Sequence, residues 1–508
     1  MYAIGCDVGS QSLKGVLLDP AGSIVAQSAS AYPIDYPQPG WAQQDARAWQ
    51  RALGEVVRHL VASAAIAPAE VGMLGLASQV DGLVAVDMDG APLGPAIIWL
   101  DRRATVEAAA LRRRLSGIDA RSVTGLNVDA SHVAPKILWL RTHEERVAER
   151  ASGLLLPGSA VVAWLTGEQV VDHANASSTL LYDLHARAWS ARLLEAADVD
   201  PAKLGRIADA HHVAGHLRPV AADALGLTTR TRVVVGTGDE HGATLGAGGI
   251  RAGIVVDITG TAEPVCVAST RPTIDPTGLV ETHGHADPRV WLVENPGFVS
   301  GGSVRWLLET MGGIDHATLE REAAAVPPGA GGVTFLPTLS GATAPRWNDR
   351  ALGTVGGLGL NHGRGHLGRA LLEGCAFALR DIVDRLDDLG LGADEIRVVG
   401  GGARSDLWMQ VKSDVTGRTV RALTRDEATA TGAAMLAGVA EGTFADLDQA
   451  VDALATLSPR RWEPDPLARD AYERAHAAYR ALFDAVEPLW AADSLEAGAV
   501  VAPAGAAS

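Results

Sequence analysis

The stretch AIGCDVGSQSLKGVLLDPAGSIV, residues 3–25, sets two apolar runs around a turn of Gly9, Ser10, Gln11 and Ser12. Asp7 precedes the turn and Lys14 follows it. Small side chains let backbone N–H groups converge on an anion, and hydroxyls add donors. The stretch VDITGTAEPVCVA, residues 256–268, repeats the plan: strand, Asp257, Gly260 with Thr261, strand. A third loop, Gly400-Gly401-Gly402, follows another apolar run. One such turn alone reads as an ordinary hairpin. Two in matching positions, with a third glycine loop, point to the phosphates of a nucleotide. A phosphate loop of the GxxxxGK[ST] type is absent, and VVGGGARSD (398–406) supplies only GxGxxS, far from any first βαβ unit.

The elements that position these turns alternate between strand and helix signals, which predicts an α/β architecture. Strands are expected at 71–78 (VGMLGLAS), within 82–90 and at 232–238. In residues 45–65, Trp49, Leu53, Val56, Val57 and Leu60 recur at helical spacing. A second helix over 366–390 carries Leu372, Cys375, Leu379, Ile382, Val383 and Leu386 on one face, with Gly390 as its stop. Residues 395–417 read as strand, glycine turn and helix, and 471–490 as a closing helix. Trp49, Trp139, Trp164, Trp306 and Trp408 fall at core spacing. A chain of 508 residues predicts two domains. The glycine-rich stretch 246–253 divides them into 1–248 and 249–494, and the small-residue tail 495–508 reads as disordered.

The net charge of −17 argues against nucleic acid or an acidic membrane surface as partner. No apolar run reaches membrane-spanning length and no leader pattern opens the chain. Cys6, Cys266 and Cys375 lie far apart in apolar contexts, as buried thiols in a reducing compartment do. The reading is a cytoplasmic protein. His283 and His285 share a strand face as an HxH pair, but no companion cluster follows, so they read as core or pocket histidines rather than zinc ligands.

The order of segments resembles the FGGY carbohydrate kinases, closest to their xylulokinase branch, over residues 3 to about 490. The resemblance is carried by IGCDVGSQSLKGVLLD (4–19), GWAQQDARAWQ (40–50), GLASQVDG (75–82), PAIIWLDRRA (95–104), APKILWLRTHE (134–144), VGTGDEHGATLGAG (235–248), DITGTAEPV (257–265), GLGLNHGRGHLGRALLEG (357–374) and VVGGGARSDLWMQVKSDVTG (398–417). It implies the two-domain actin, hexokinase and Hsp70 (ribonuclease H-like) fold with an interdomain cleft, and ATP-dependent phosphorylation of a sugar with Mg²⁺ as companion ion. By the same resemblance Asp239 is the general base and a metal-side carboxylate, and Asp7 orients Mg²⁺ through water. Gly9, Ser10, Gln11, Ser12 and Lys14 line the phosphates, joined by Gly260 and Thr261. Gly401, Gly402, Ala403 and Ser405 border the adenosine. Gln79, Val80, Asp81, Asp101 and Glu240 fall at the sugar. An ordinary aspartate pKa of about 4 would leave Asp239 ionised at neutral pH.

The sequence departs from the xylulokinase pattern at the sugar. Val80-Asp81 stands where that branch has Met-His, Glu240 where it often has Asn, SGATAP (340–345) for SGERTP, and Trp99-Leu100-Asp101 for WND. Asp81, Asp101, Asp239 and Glu240 would crowd the pocket with carboxylates, which accept hydrogen bonds from hydroxyls and repel a sugar acid. The expectation is a neutral ketose, D-xylulose first. Ribulose, a ketohexose, an erythritol- or glycerol-type polyol, and a non-catalytic sugar-binding relative stand as alternatives. A homodimer is left open.

Overall fold

The computed structural model describes residues 1–491. The expected tail, 495–508, lies outside the described residues. The chain opens with the meander β1 (Tyr2–Val8), β2 (Ser12–Leu18) and β3 (Ile24–Ala31), then α1 (Ala46–Ser63) and β4 (Val71–Ser78). After a long insertion come β5 (Val213–His216), β6 (Arg232–Val234), β7 (Thr237–Gly238) and α2 (Asp239–Gly246). These strands form one sheet in the order β5-β6-β4-β1-β2-β3, with β7 on β4.

The second half repeats the design. It holds β8 (Ile254–Ile258), β9 (Ala262–Ser269), β10 (Glu281–Gly284), β11 (Trp291–Val299), α3 (Gly301–Thr310) and α4 (Arg364–Asp388). Then follow β12 (Glu395–Val399), α5 (Asp406–Thr416), β13 (Thr419–Leu423), α6 (Ala428–Glu441), β14 (Leu457–Trp462) and α7 (Arg469–Ala491). Its sheet runs β10-β11-β9-β8-β12-β13-β14. In each sheet the hairpin strand (β1 or β8) pairs antiparallel with its successor and parallel with a later strand (β4 or β12). The weak echo between the two hairpin sequences is thus an echo between two whole sheets.

Local chemistry explains the elements. Asp45 caps α1, its side chain accepting from Arg47 N at 3.0 Å, and Trp49, Leu53, Val56, Val57 and Leu60 bury one face of that helix. Asp45→Ala is expected to cost about 1 kcal/mol, read from the unfolding midpoint in urea. Beyond α4, Gly390 takes φ +75°, as a residue just past a helix end does. The three cysteines are free and buried. Trp306 departs from the core expectation: it is 42% exposed on α3, with one edge against Phe335.

The halves meet through small residues. α6 belongs to the second half of the sequence but lies on the first sheet. A Cβ at Gly5 would stand 2.2 Å from Ala434 N, and one at Gly75 2.2 Å from Ala433 O. α6 also crosses α2, where a Cβ at Gly432 would meet Gly242 O at 2.0 Å and one at Gly246 would meet Ala428 O at 2.0 Å. Only glycine permits backbone to approach backbone this closely. The crossing fixes α2, and with it Asp239, between the two sheets.

Candidate active site

The first hairpin ends at a turn held from outside. Tyr32 donates its hydroxyl to Gly9 O at 2.6 Å, and Gln44 Nε2 donates to Ser10 O at 2.7 Å. Trp99 Nε1 donates to Ser10 Oγ at 2.8 Å. Gln79 Nε2 donates to Gln44 Oε1 at 2.9 Å, which links the loop after β4 to the same turn. The turn is therefore fixed in place, with its outer face open: Gln11 is exposed.

Asp7 and Asp239 come together at this turn from separate elements. Asp7 is near the end of β1, and its Oδ1 is buried without a partner. Burial raises its pKa well above the usual carboxylate range; the charge of Asp239 adds to the rise and Lys14 opposes it. Asp239 opens α2, delivered by β7. Thr237 on β7 donates to Asp172 Oδ2 at 2.7 Å, and Gly238 leaves room for Val80 and His241, which a Cβ would meet at 2.5 and 2.8 Å. Burial lifts the Asp239 carboxyl to about 7; backbone N–H groups pull it down, and Glu294 and Asp81 push it further up. This differs from the ordinary aspartate expected from sequence. The physical reason is the crowding of acids around a partly buried carboxyl, and a carboxylate held near neutrality is better matched to general-base work.

The second hairpin, between β8 and β9, presents Gly260 and Thr261, both exposed. The glycine loop after β12 packs against it. Gly400 has φ +89°, and Cβ atoms at Gly400 and Gly402 would meet Thr259 at 2.7 and 2.3 Å, whereas one at Gly401 would meet open space. Ser405 caps α5, accepting from Trp408 N at 3.1 Å and donating to Glu320 at 2.8 Å. Ala403 packs on the core of the second half. Lys14 pairs with Glu427 at 3.1 Å and is 41% exposed.

The sugar-side expectations divide. Asp81 has φ +58°, and its carboxylate lies 3.3 Å from His132 Nδ1. Burial opposes a charge on His132, but Asp81 overrides it and lifts the imidazole to about 9. Lys136 ties the Asp81, Ile98 and Ser131 carbonyls together, which fixes the strained backbone. Val80 stands beside Gly238, and Gln79 is fully buried with its Oε1 unpartnered. Asp101 is engaged elsewhere. It is fully buried, accepts from Ala42 N at 2.6 Å, and pairs with Arg103 at 2.7 Å, whose guanidinium lies over Trp41 at 3.8 Å.

The second half adds acids that sequence reading did not single out. Glu281 and Glu294 face each other across β10 and β11. Glu294 Oε1 lies 3.1 Å from His283 Nε2, and Cys266 Sγ donates to its Oε2 at 3.4 Å. Burial, then the charges of Glu294 and Asp239, raise Glu240 well above the usual carboxylate range. Glu281 accepts from Asn127 N at 2.6 Å, binding the second half to the insertion of the first. The available signal was a glutamate in the middle of the apolar run WLVENPGFV.

The first turn thus stands beside two carboxylates, Asp7 and Asp239, and the second has the glycine loop packed against it. Asp7's orphaned oxygen next to Asp239 suits a divalent cation, which favours carboxylate oxygen and phosphate. Among the described residues no helix is long and apolar enough to cross a membrane.

The chain is similar to known proteins over nearly its whole length. The profile of the FGGY family of carbohydrate kinases, N-terminal domain, matches residues 2–246, and that of its C-terminal domain matches 256–441. The chain is 30% identical to the xylulose kinase of Escherichia coli (strain K12) over 492 residues, covering 97% of this chain and 100% of that one. It is 34% identical to the glycerol kinase of Gloeobacter violaceus over 470 residues, covering 89% and 90%. Among solved structures, xylulose kinase from Rhodospirillum rubrum superposes with a TM-score of 0.88 at 30% identity, over 97% of this chain and 100% of that one.

Proposed function

Since the chain belongs to the FGGY family of carbohydrate kinases, ATP-dependent enzymes that phosphorylate small sugars, we propose that it transfers the γ-phosphoryl group of MgATP to a hydroxyl of an uncharged ketose, D-xylulose first, giving D-xylulose 5-phosphate. The observation that carries this reading is Asp239, at the head of α2 and in the field of Asp7, between two glycine hairpins. The sugar hydroxyl gives its proton to the Asp239 carboxylate as its oxygen bonds to the γ-phosphorus. The bond from that phosphorus to the β,γ-bridging oxygen breaks, and ADP leaves with the electron pair. Positioning and charge neutralisation supply most of the catalysis in such a transfer.

The first turn, Gly9 to Ser12, with Gly260 and Thr261 opposite, holds the phosphates by backbone N–H groups. Gly401, Gly402, Ala403 and Ser405 border the nucleoside. Asp7 and Asp239 would hold Mg²⁺, Asp7 through water; the ion neutralises charge developing on the phosphates. Lys14, paired with Glu427, supplies charge at the rim. Asp81, Glu240 and Gln79 face the acceptor, with Val80 shaping the wall. Asp101 contributes through Arg103, which it anchors beside Trp41.

The acceptor side holds Asp81, Asp239, Glu240, Glu281 and Glu294 against His132 and His283. That excess of acid disfavours a sugar acid and suits a molecule that donates hydrogen bonds from every hydroxyl. The match to glycerol kinases favours a second reading, a small polyol acceptor on the same machinery. ADP release from MgATP, measured with xylulose, ribulose, erythritol, glycerol and gluconate, tests both. A neutral acceptor is expected to raise turnover about tenfold or more over water alone, because the correct acceptor closes the cleft. Stimulation by gluconate alone, or by none of the five, would contradict the reading.

A further inference from the structure

The two hairpins carry equivalent acids with opposite fates. Asp7 on β1 keeps a buried oxygen without a partner. Asp257, at the same place on β8, has none to spare. Lys412 of α5 donates to Asp257 Oδ2 at 2.6 Å, to Thr259 Oγ1 at 2.7 Å and to Glu263 Oε1 at 2.9 Å, and Thr259 also donates to Asp257 Oδ1 at 2.9 Å. Lys412, Asp257 and Glu263 are all fully buried. The ammonium also lies 4.8 Å from the Trp408 ring centre.

A buried ion pair is poor evidence for stability, since a well-packed apolar replacement often folds as well. Its location is more informative. Thr259 is the last residue before the exposed Gly260-Thr261 turn, and its carbonyl accepts from Gly402 N at 3.2 Å. Lys412 thus ties the glycine loop, the hairpin and α5 to one charge. Burial and Asp257 push Glu263 up to about 7, while Lys412 opposes the rise.

Resting on the nucleotide site proposed above, we propose that Lys412 is a positioning residue for the nucleotide: it cancels Asp257 beneath the second hairpin, so that this hairpin accepts a phosphate and Asp7 alone of the paired acids is open to a cation. Without Lys412, Asp257 and Thr259 would lose their shared partner beneath the second turn.

The test is titration calorimetry with MgADP on the full chain, beside the KM values for ATP and for the best acceptor. Lys412→Met is expected to weaken MgADP and raise the ATP KM about tenfold to a hundredfold, because the second hairpin loses the ammonium that holds Asp257 and Thr259 in place. The acceptor KM should stay within about twofold, because the lesion lies on the nucleotide side. Asp257→Asn with Lys412→Met removes both charges and should restore MgADP binding to within about threefold of the wild type. Should Lys412→Met not fold, Thr259→Val takes its place: it cuts the ammonium's link to the turn and should weaken MgADP about threefold or more, the size of one lost hydrogen bond. Unchanged MgADP affinity in Lys412→Met or Thr259→Val, or a double variant as weak as the single, would overturn the proposal. Wild-type protein that binds no MgADP would instead fail the underlying site assignment, a result the control arm separates.

Discussion

Asp239→Asn is expected to lower kcat about a hundredfold to ten-thousandfold, the contribution of a general base, and to weaken MgADP far less, since Asp7 and the phosphate turns still hold the complex. Asparagine is nearly isosteric and keeps the oxygen that accepts from Glu240 N at 3.1 Å, so α2 should hold its position. It cannot take a proton from the acceptor. Steady-state rates give the loss in kcat, and calorimetry shows whether the nucleotide still binds. Equal losses in kcat and in MgADP affinity would mean that the carboxylate acts mainly on the nucleotide. Little loss in either would remove Asp239 from the chemistry.

Gly432→Val is expected to abolish folding, or to lower the thermal midpoint far more than the loss of the Asp45 cap does. Gly432→Ala should cost about 3 kcal/mol, the upper part of the range for forcing extra volume into a packed interior. The new Cβ would stand 2.0 Å from Gly242 O, a backbone atom that no rotamer change can move aside. α2 and α6 would have to separate. Because α2 carries Asp239, any Gly432→Ala protein that does fold should also lose kcat. Gly94→Ala is the control: nothing lies within 4 Å of its Cβ position, and unfolding should be unchanged. If both Gly432 variants unfold at the wild-type midpoint, the helices do not cross as described.

The parts of the fold that follow from local pattern were legible. The strand 71–78 and the core faces of α1 and α4 are written in apolar spacing, and the paired hairpins in their glycines. Asp239 was singled out by resemblance, on the VGTGDEHG segment, and the structure sets it at the head of α2 beside Asp7. Residues whose meaning depends on the approach of distant segments were not. Glu294 and His283 reach the cleft only because β10 and β11 fold back on the first half's insertion. Asp101 was expected beside the sugar, but a neighbouring arginine two residues on and a backbone N–H from residue 42 hold it. Local sequence contains Arg103 but not the tryptophan pair that stations its guanidinium there. Lys412 looks like any polar residue of an amphipathic helix until α5 is placed over the second hairpin. The position of α6 on the first sheet shows in the sequence only as a run of alanines and glycines.

On the proposed reading, the nucleotide rests on glycine turns while the acceptor meets side chains drawn from both halves, so kinship to both xylulose and glycerol kinases leaves the acceptor open.

The most direct measurement is a crystal structure with a non-hydrolysable ATP analogue, Mg²⁺ and the best acceptor from the panel. The account predicts one acceptor hydroxyl within about 3.2 Å of an Asp239 carboxylate oxygen and in line with the γ-phosphorus, with the ion on the Asp7 side. An acceptor hydroxyl directed at another acid, or a γ-phosphate lying away from the two hairpins, would contradict it.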